Sequence, residues 1–94
     1  MELKDTIEMM QSEDYKERFK AEYKQTKIRY EKLKRFNNKV EAAYRTECGR
    51  PHEKRVEMPV HDCPLDLLTE QQHVMRQYLR ILEIRAEIEG IDLY

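Results

Sequence analysis

Every glycine and proline in the chain falls in one of two places. Gly49, Pro51, Pro59 and Pro64 crowd a single stretch, and Gly90 stands by itself further on. Residues 1–48 and 65–89 are therefore free of both helix breakers, and that spacing constrains the fold more than any other feature. Glycine just past the last helical turn and proline beyond it are stop signals, and proline at the first helical position is a start signal. The pattern predicts a long helix over 13–48 that stops at Gly49, a connector over 49–63 and a second helix over 64–89. In the connector, Val56 and Val60 leave room only for short extended pieces.

The hydrophobic period agrees. Tyr15, Phe19, Tyr23, Thr26, Tyr30, Leu33, Phe36 with Asn37, Val40 and Tyr44 recur by threes and fours, which is one stripe of a helix. Leu65, Leu68, Gln72, Met75, Leu79, Leu82 and Ala86 form the matching stripe on the second helix. The expected fold is all-α, an antiparallel helical hairpin. Leu3, Ile7 and Met10 mark a short helix over 2–10 that must dock on the hairpin, because two to three turns are not stable alone. Ser12 is the expected N-cap of the long helix. Ninety-four residues make one domain, and a chain this short buries little surface as a monomer.

The second helix carries more apolar surface than a hairpin uses. Val74, Tyr78, Ile81, Ile84 and Ile88 form a second stripe beside the first. One apolar stripe is enough to pack against one partner helix. The alternatives are that the N-terminal helix covers the extra face or that another copy of the chain does, and a homo-oligomer is the expectation.

Charge is distributed as unevenly as apolarity. Between Tyr15 and Phe36 there are nine cations and three acids, while the whole chain sums to −1. Residues 1–14 hold five acids against Lys4, and the acids outnumber the bases again from Glu53 onward. A basic arm flanked by acid fits a compact anion better than a long duplex, which the flanks would repel. Tyr15, Tyr23 and Tyr30 interleave with Lys16, Arg18, Lys27, Arg29 and Lys32. Flat aromatic faces beside phosphate-directed cations are the ingredients of non-duplex nucleotide binding. The plainer reading makes these tyrosines seam residues and the cations a solvated face.

Other chemistries find little support. Both glycines are helix stops, so there is no phosphate loop. Ser12 is the lone serine and has no nucleophile motif around it. His73 reads as a surface or interface residue. No enzyme and no cofactor are expected. Cys48, His52, His61 and Cys63 are zinc-type ligands by chemistry, but their spacing matches no zinc pattern. They leave an alternative of another class, a structural or adaptor coiled-coil hairpin, zinc-stapled through the connector, that binds a protein partner. No apolar run is long enough to span a bilayer, and the first residues lack the layout of a signal peptide. Cytoplasmic location with reduced cysteines is the expectation.

Three pieces in order resemble a known family. They are Y-x-E-R-x-x-x-E at Tyr15, Glu17, Arg18 and Glu22, K-L-x-x-F at Lys32, Leu33 and Phe36, and L-L-x-x-Q-x-x-x-M-x-x-Y-L-x-I-L-x-x-R from Leu67 to Arg85. Together they resemble the phage anti-CBASS cyclic-dinucleotide sponges, small helical-hairpin proteins that share a domain with phage anti-Thoeris sponges. The resemblance covers about two thirds of the chain. It implies a homohexamer in the host bacterial cytoplasm that holds cyclic dinucleotides, and in some members cyclic trinucleotides, without cleaving them. By position it implies Tyr15 stacked on a base with Lys16 and Arg18 nearby. It places the phosphate-contacting lysine between Lys27 and Lys32, around Tyr30, and Arg76 in a second pocket. The longer connector and the tyrosine-rich arm depart from the family pattern.

Overall fold

The computed structural model of the chain describes residues 1–49 and 58–94, with the side chains of 47–49 left aside. A short α-helix, α1 (Ile7–Met10), follows a 3-10 turn at Leu3–Thr6. Two long helices come next, α2 (Tyr15–Gly49) and α3 (Leu65–Glu89). They pack as a hairpin 55 Å in its longest dimension. No strand occurs among the described residues.

The N-terminal segment differs from the sequence expectation in one instructive way. Its first turn is 3-10, with about three residues per turn, so the docking face recurs every third residue. Thr6 is completely buried, and Leu3 and Met9 are half-buried. Ile7 and Met10, expected on the docking face by an α-helical count, are exposed. Thr6 Oγ1 donates to the Leu3 carbonyl at 2.7 Å, which lets a polar residue occupy a dry position. Gln25 Nε2 lies 3.3 Å from Met10 Sδ, and Ala21, one turn before Gln25, is fully buried. The segment therefore lies on the α2 face that carries Ala21 and Gln25.

The cap of α2 is Asp14, two residues later than expected. Asp14 Oδ1 accepts from the Lys16 N–H at 3.0 Å, and its carbonyl accepts from the Arg18 N–H at 3.1 Å. Ser12 Oγ instead accepts from the Asp14 N–H at 3.1 Å, so it shapes the turn before the cap. A carboxylate is the better cap here because it also meets the positive end of the helix dipole. Pro64, expected inside the second helix, is its N-cap with an extended ψ of 138°. Gly90 ends α3 in the left-handed conformation at φ 71°, which favours a residue without Cβ. The chain then turns back, and Ile91 and Leu93 bury themselves in the core.

The hairpin core is built from Phe19, Tyr23 and Tyr30 of α2 against Leu79, Leu82 and Ala86 of α3, with Met75 packed on its edge. Asn37, at a seam position, donates to the Leu68 carbonyl at 3.2 Å and to Gln72 Oε1 at 2.8 Å. A polar residue satisfied across a seam fixes which turns face one another. Tyr15 and Tyr44, expected at the two ends of the stripe, are exposed. His61, beyond the connector, sets its ring edge-on to Phe36 with centroids 5.4 Å apart.

The second stripe of α3 stays uncovered. Val74, Ile81 and Ile88 are 58%, 53% and 79% exposed, so the N-terminal segment does not cover this face within one chain. Of the four connector residues with metal-ligand chemistry, the Cys48 side chain and His52 lie outside the described residues, as does Val56. Cys63 is exposed and its thiol is free. No helix of the described residues is long and apolar enough to cross a membrane.

Leu82 is among the most deeply buried side chains. Leu82→Ala is expected to cost about 2–5 kcal/mol, read from denaturant unfolding at fixed protein concentration. A loss below about 0.5 kcal/mol would mean that the α2–α3 seam does not carry the fold.

Candidate functional site

Three tyrosine hydroxyls tie the two long helices together, and each donates to a carboxylate on the opposite helix. Tyr23 donates to Glu83 Oε2 at 2.5 Å, Tyr15 to Glu89 Oε1 at 3.0 Å, and Tyr78 to Glu22. Burial raises the Tyr23 pKa far above the usual phenol range, helped by the bond to Glu83 and by the neighbouring Tyr94 hydroxyl. Burial also raises Tyr15, reinforced by Glu89 and opposed by Arg85, whereas for Tyr78 the bond to Glu22 is the main cause. In each case a nearby carboxylate resists formation of a second negative charge.

Around Tyr15 the arrangement is a closed cluster. Arg85 donates through Nη2 to the Tyr15 hydroxyl at 2.6 Å and through Nε to Glu89 Oε2 at 3.1 Å. The guanidinium carbon also sits 5.0 Å from the centre of the Phe19 ring. Tyr15 leans on Phe19 with centroids 6.1 Å apart, yet remains 46% exposed. Close by, Arg18 Nη1 donates to the Ser12 carbonyl at 2.8 Å, while the Lys16 side chain is exposed. Arg18 has five donor hydrogens, so one backbone bond does not exhaust it.

The remaining expected residues lie further along the hairpin. Lys27 stands about 18 Å from Tyr15 along α2, by helical rise. Lys27, Tyr30 and Arg76 line one groove of about 870 Å³ between α2 and α3. Lys34 and Arg80 add two more cations to it, and Glu31 and Glu83 are its acids. Tyr30 is buried, so it serves as wall there and offers little ring face. Lys32 lines a different groove, of about 880 Å³, which shares Lys27 and Glu31 with the first.

The seven expected residues thus fall into two groups. Tyr15, Lys16 and Arg18 gather where α2 begins, and Lys27, Tyr30, Lys32 and Arg76 gather at mid-hairpin. Among the described residues the ion pairs are Lys4–Glu2, Lys20–Glu17, Arg45–Glu41 and Arg85–Glu89. Lys27, Lys32, Lys34, Arg76 and Arg80 belong to none of them. Lys27 instead lies 5.7 Å over the Tyr23 ring, with its Nζ 3.5 Å from the Tyr23 hydroxyl. No group of three or more metal-ligating side chains comes together among the described residues. The arrangement supplies fixed positive charge beside aromatic walls, which suits binding of an anion.

Sequence reasoning did not single out Lys34, Arg80 or Arg85 for this region. Arg80 follows Arg76 by one turn, and that spacing alone places both on one face. Arg85 pairs with Glu89 one turn on along its own helix, a spacing the sequence shows, but its contacts with Tyr15 and Phe19 lie across the hairpin and are not legible there.

The Sequestin family model matches residues 13–88, which take in all of α2 and nearly all of α3. No curated protein and no solved structure matches the chain.

The raised tyrosine pKa values set an alkaline limit. A hydroxyl neutral in the folded chain and ionised in the unfolded one loses stabilising value as pH rises above the unfolded phenol pKa of about 10. The melting temperature is expected to hold steady from about pH 7 to 9 and to fall above about pH 10. Tyrosinate absorbance of the native chain should show some phenols titrating well after the others. Simultaneous titration of all six tyrosines in the folded protein would contradict the carboxylate-bonded assignment.

Proposed function

The chain belongs to the Sequestin family, and we propose on that basis that it is a phage sponge holding cyclic dinucleotides, with cyclic trinucleotides as a second ligand class. Sequestins are phage proteins that sequester cyclic nucleotides. The family match is the observation that carries this reading. The finer assignment is anti-CBASS: the captured messenger never reaches the antiviral effector of the host. The chain binds and withholds its ligand and does not cleave it.

The physical support comes from the mid-hairpin cations. Lys27, Lys32 and Arg76 stand outside the ion pairs of the described residues. Charge held in place without an acid partner contributes more to a phosphate than charge that must first leave one. A compact cyclic ligand fits grooves of this size, which lie within the usual range for small-molecule sites. In this reading Tyr15 stacks on a base beside Lys16 and Arg18, a lysine between Lys27 and Lys32, near the Tyr30 wall, meets the phosphate, and Arg76 belongs to a second pocket. The Tyr15 ring has a partly exposed face, and its hydroxyl is already anchored, so stacking orders little that is not ordered in advance.

The assembly in this reading is a homohexamer, and the uncovered stripe of α3 is its packing surface. Leu67, Val74, Ile81 and Ile88 repeat every seven residues and are all exposed. A seven-residue apolar repeat is the spacing that lets two helices keep a common seam.

The deciding experiment is calorimetric titration with a panel of cyclic di- and trinucleotides, followed by denaturation and recovery of the ligand. Saturable binding and intact recovery are expected; recovery of a linear product would make the protein a hydrolase instead. Tyr15→Ala should weaken binding by about 1–3 kcal/mol per stacked base, roughly ten- to a hundredfold, and Tyr15→Phe much less. Reversing the charge of Lys27 or Arg76 should remove a charge-assisted hydrogen bond of about 1.5–3 kcal/mol. If Tyr15→Ala folds normally and binds every cyclic nucleotide as the parent does, the stacking role is wrong.

The assembly has its own test. Sedimentation equilibrium should give a mass of several chains for the parent and a smaller one for Ile81→Glu, which places a charge in the stripe. A single-chain mass for the parent at micromolar concentration rules the hexamer out.

A further inference from the structure

The second groove is walled by parts of the chain that lie outside the residues matched to the family. One face of α2 forms its floor, with Tyr23, Lys24, Lys27, Ile28, Lys32 and Arg35. Leu3 and its neighbours close one side, and Leu93 and Tyr94 close the other. Residues 1–12 and 89–94 fall beyond the matched 13–88, so the walls from the two chain ends, though not the α2 floor, lie outside the family match.

Its chemistry divides into two parts. Leu3, Ile28 and Leu93 are apolar and at least half-buried, and Tyr23 beneath them is buried. The cations at 24, 27, 32 and 35 recur by threes and fives, so they keep to one side of α2. Glu2 and Glu31 are the acids of the lining, and Glu2 is paired with Lys4 at 3.6 Å. Tyr94 stands at the mouth. Its backbone is held because Leu93 is buried and its own N–H donates to Asp92 Oδ1 at 3.0 Å, yet it is 90% exposed. An aromatic residue so exposed on an anchored backbone gains burial when a flat partner arrives.

We infer that this groove is a separate binding site, complete within one chain, for a nucleoside phosphate, with Tyr94 stacking on the base and Lys24, Lys27 and Arg35 holding the phosphate. The choice of a nucleoside as the flat, apolar body rests on the sponge reading above; the charge and the groove do not. Charge complementarity selects an anion, and the apolar walls select one with an aromatic body over inorganic phosphate. The volume of about 880 Å³ is ample for one nucleotide. Because one chain supplies every wall, occupancy is one ligand per chain and does not need a neighbour. Lys27 also lines the groove toward Arg76, so ligands in the two grooves compete for one ammonium group.

The test uses the full chain with three probes: adenosine 5′-monophosphate, ribose 5-phosphate, which lacks the base, and adenosine, which lacks the phosphate. Calorimetry should show one adenosine monophosphate per chain, and each of the other probes at least tenfold weaker. Tyr94→Ala and Lys24→Glu should each weaken the monophosphate about tenfold. Ile81→Glu should keep one site per chain even where it breaks self-association. Amide shifts of Lys24 and Leu93 on titration of the parent locate the site without any variant. The inference is overturned by non-saturable binding, by equal affinity for ribose 5-phosphate, by loss of the site in a folded Ile81→Glu, or by amide shifts confined to the Arg76 side. Cyclic-dinucleotide binding without monophosphate binding removes this site and leaves the sponge standing. The reverse result removes the sponge and leaves the site.

Discussion

The hydroxyl–carboxylate bonds across the hairpin set the conditions for the rest of the structure. A tyrosine buried at the seam, as Tyr23 is, needs a partner for its hydroxyl, because a buried hydroxyl without one costs about 1–3 kcal/mol. Glu83, Glu89 and Glu22 supply those partners to Tyr23, Tyr15 and Tyr78. As the tyrosine number rises from 15 to 23 its partner falls from 89 to 83, which is the mark of antiparallel register. Asn37, reaching Leu68 and Gln72, continues the same register toward the connector. The bonds also commit acids. Glu22 is one of three acids in the basic arm, and it is used across the hairpin rather than against a lysine beside it. One of the arm's three acids thus serves as an acceptor for Tyr78, which adds to the excess of cations already present between Tyr15 and Phe36.

Much of the fold was legible because breakers and period agreed. Pro64 and Gly90 bracket the second stripe, and residues 50–57, just after Gly49, lie outside those described. Apart from the exposed ends Tyr15 and Tyr44, the core residues of both stripes meet where the period of threes and fours places them. The errors lie where a local hydrogen bond decides. Ser12 and Asp14 are both good caps, and only the bond from the Lys16 N–H to Asp14 Oδ1 chooses between them. The first turn of the N-terminal segment winds as 3-10, so an α-helical count placed Ile7 and Met10 inward and missed Thr6. Nothing in the residue types distinguishes those two windings over four residues.

The candidate site was legible in composition and poorly legible in geometry. The density of cations between Tyr15 and Phe36 marked α2 as the basic helix. It did not separate Tyr15, Lys16 and Arg18 from Lys27, Tyr30 and Lys32, although Tyr15 and Lys27 alone stand about 18 Å apart by helical rise. Tyr30 reads from the sequence both as a seam residue and as an aromatic face beside cations, and it is a buried wall, because a seam tyrosine cannot serve both purposes fully. Tyr94 gave no signal, and Arg85 entered only as the last residue of the family pattern, with no role attached. Their surroundings depend on which turn of the opposite helix they meet and on how the chain folds back after Gly90.

On α3 the uncovered stripe and Arg76 occupy different sides of the helix, with Gln77 of the groove lining beside the stripe. Val74 and Arg76 are two residues apart, close to opposite faces of a helix that turns about 100° per residue. Arg80 and Ile81 are adjacent, and they point about a quarter-turn apart. A partner laid on Leu67, Val74, Ile81 and Ile88 would therefore leave Arg76 facing α2 and the groove beside it. Self-association and anion capture would then place separate demands on one short helix. That separation explains why α3 bears two apolar stripes and a cationic edge where a simple hairpin needs one stripe. It also explains why the burial that one chain lacks could be supplied without closing the grooves it presents.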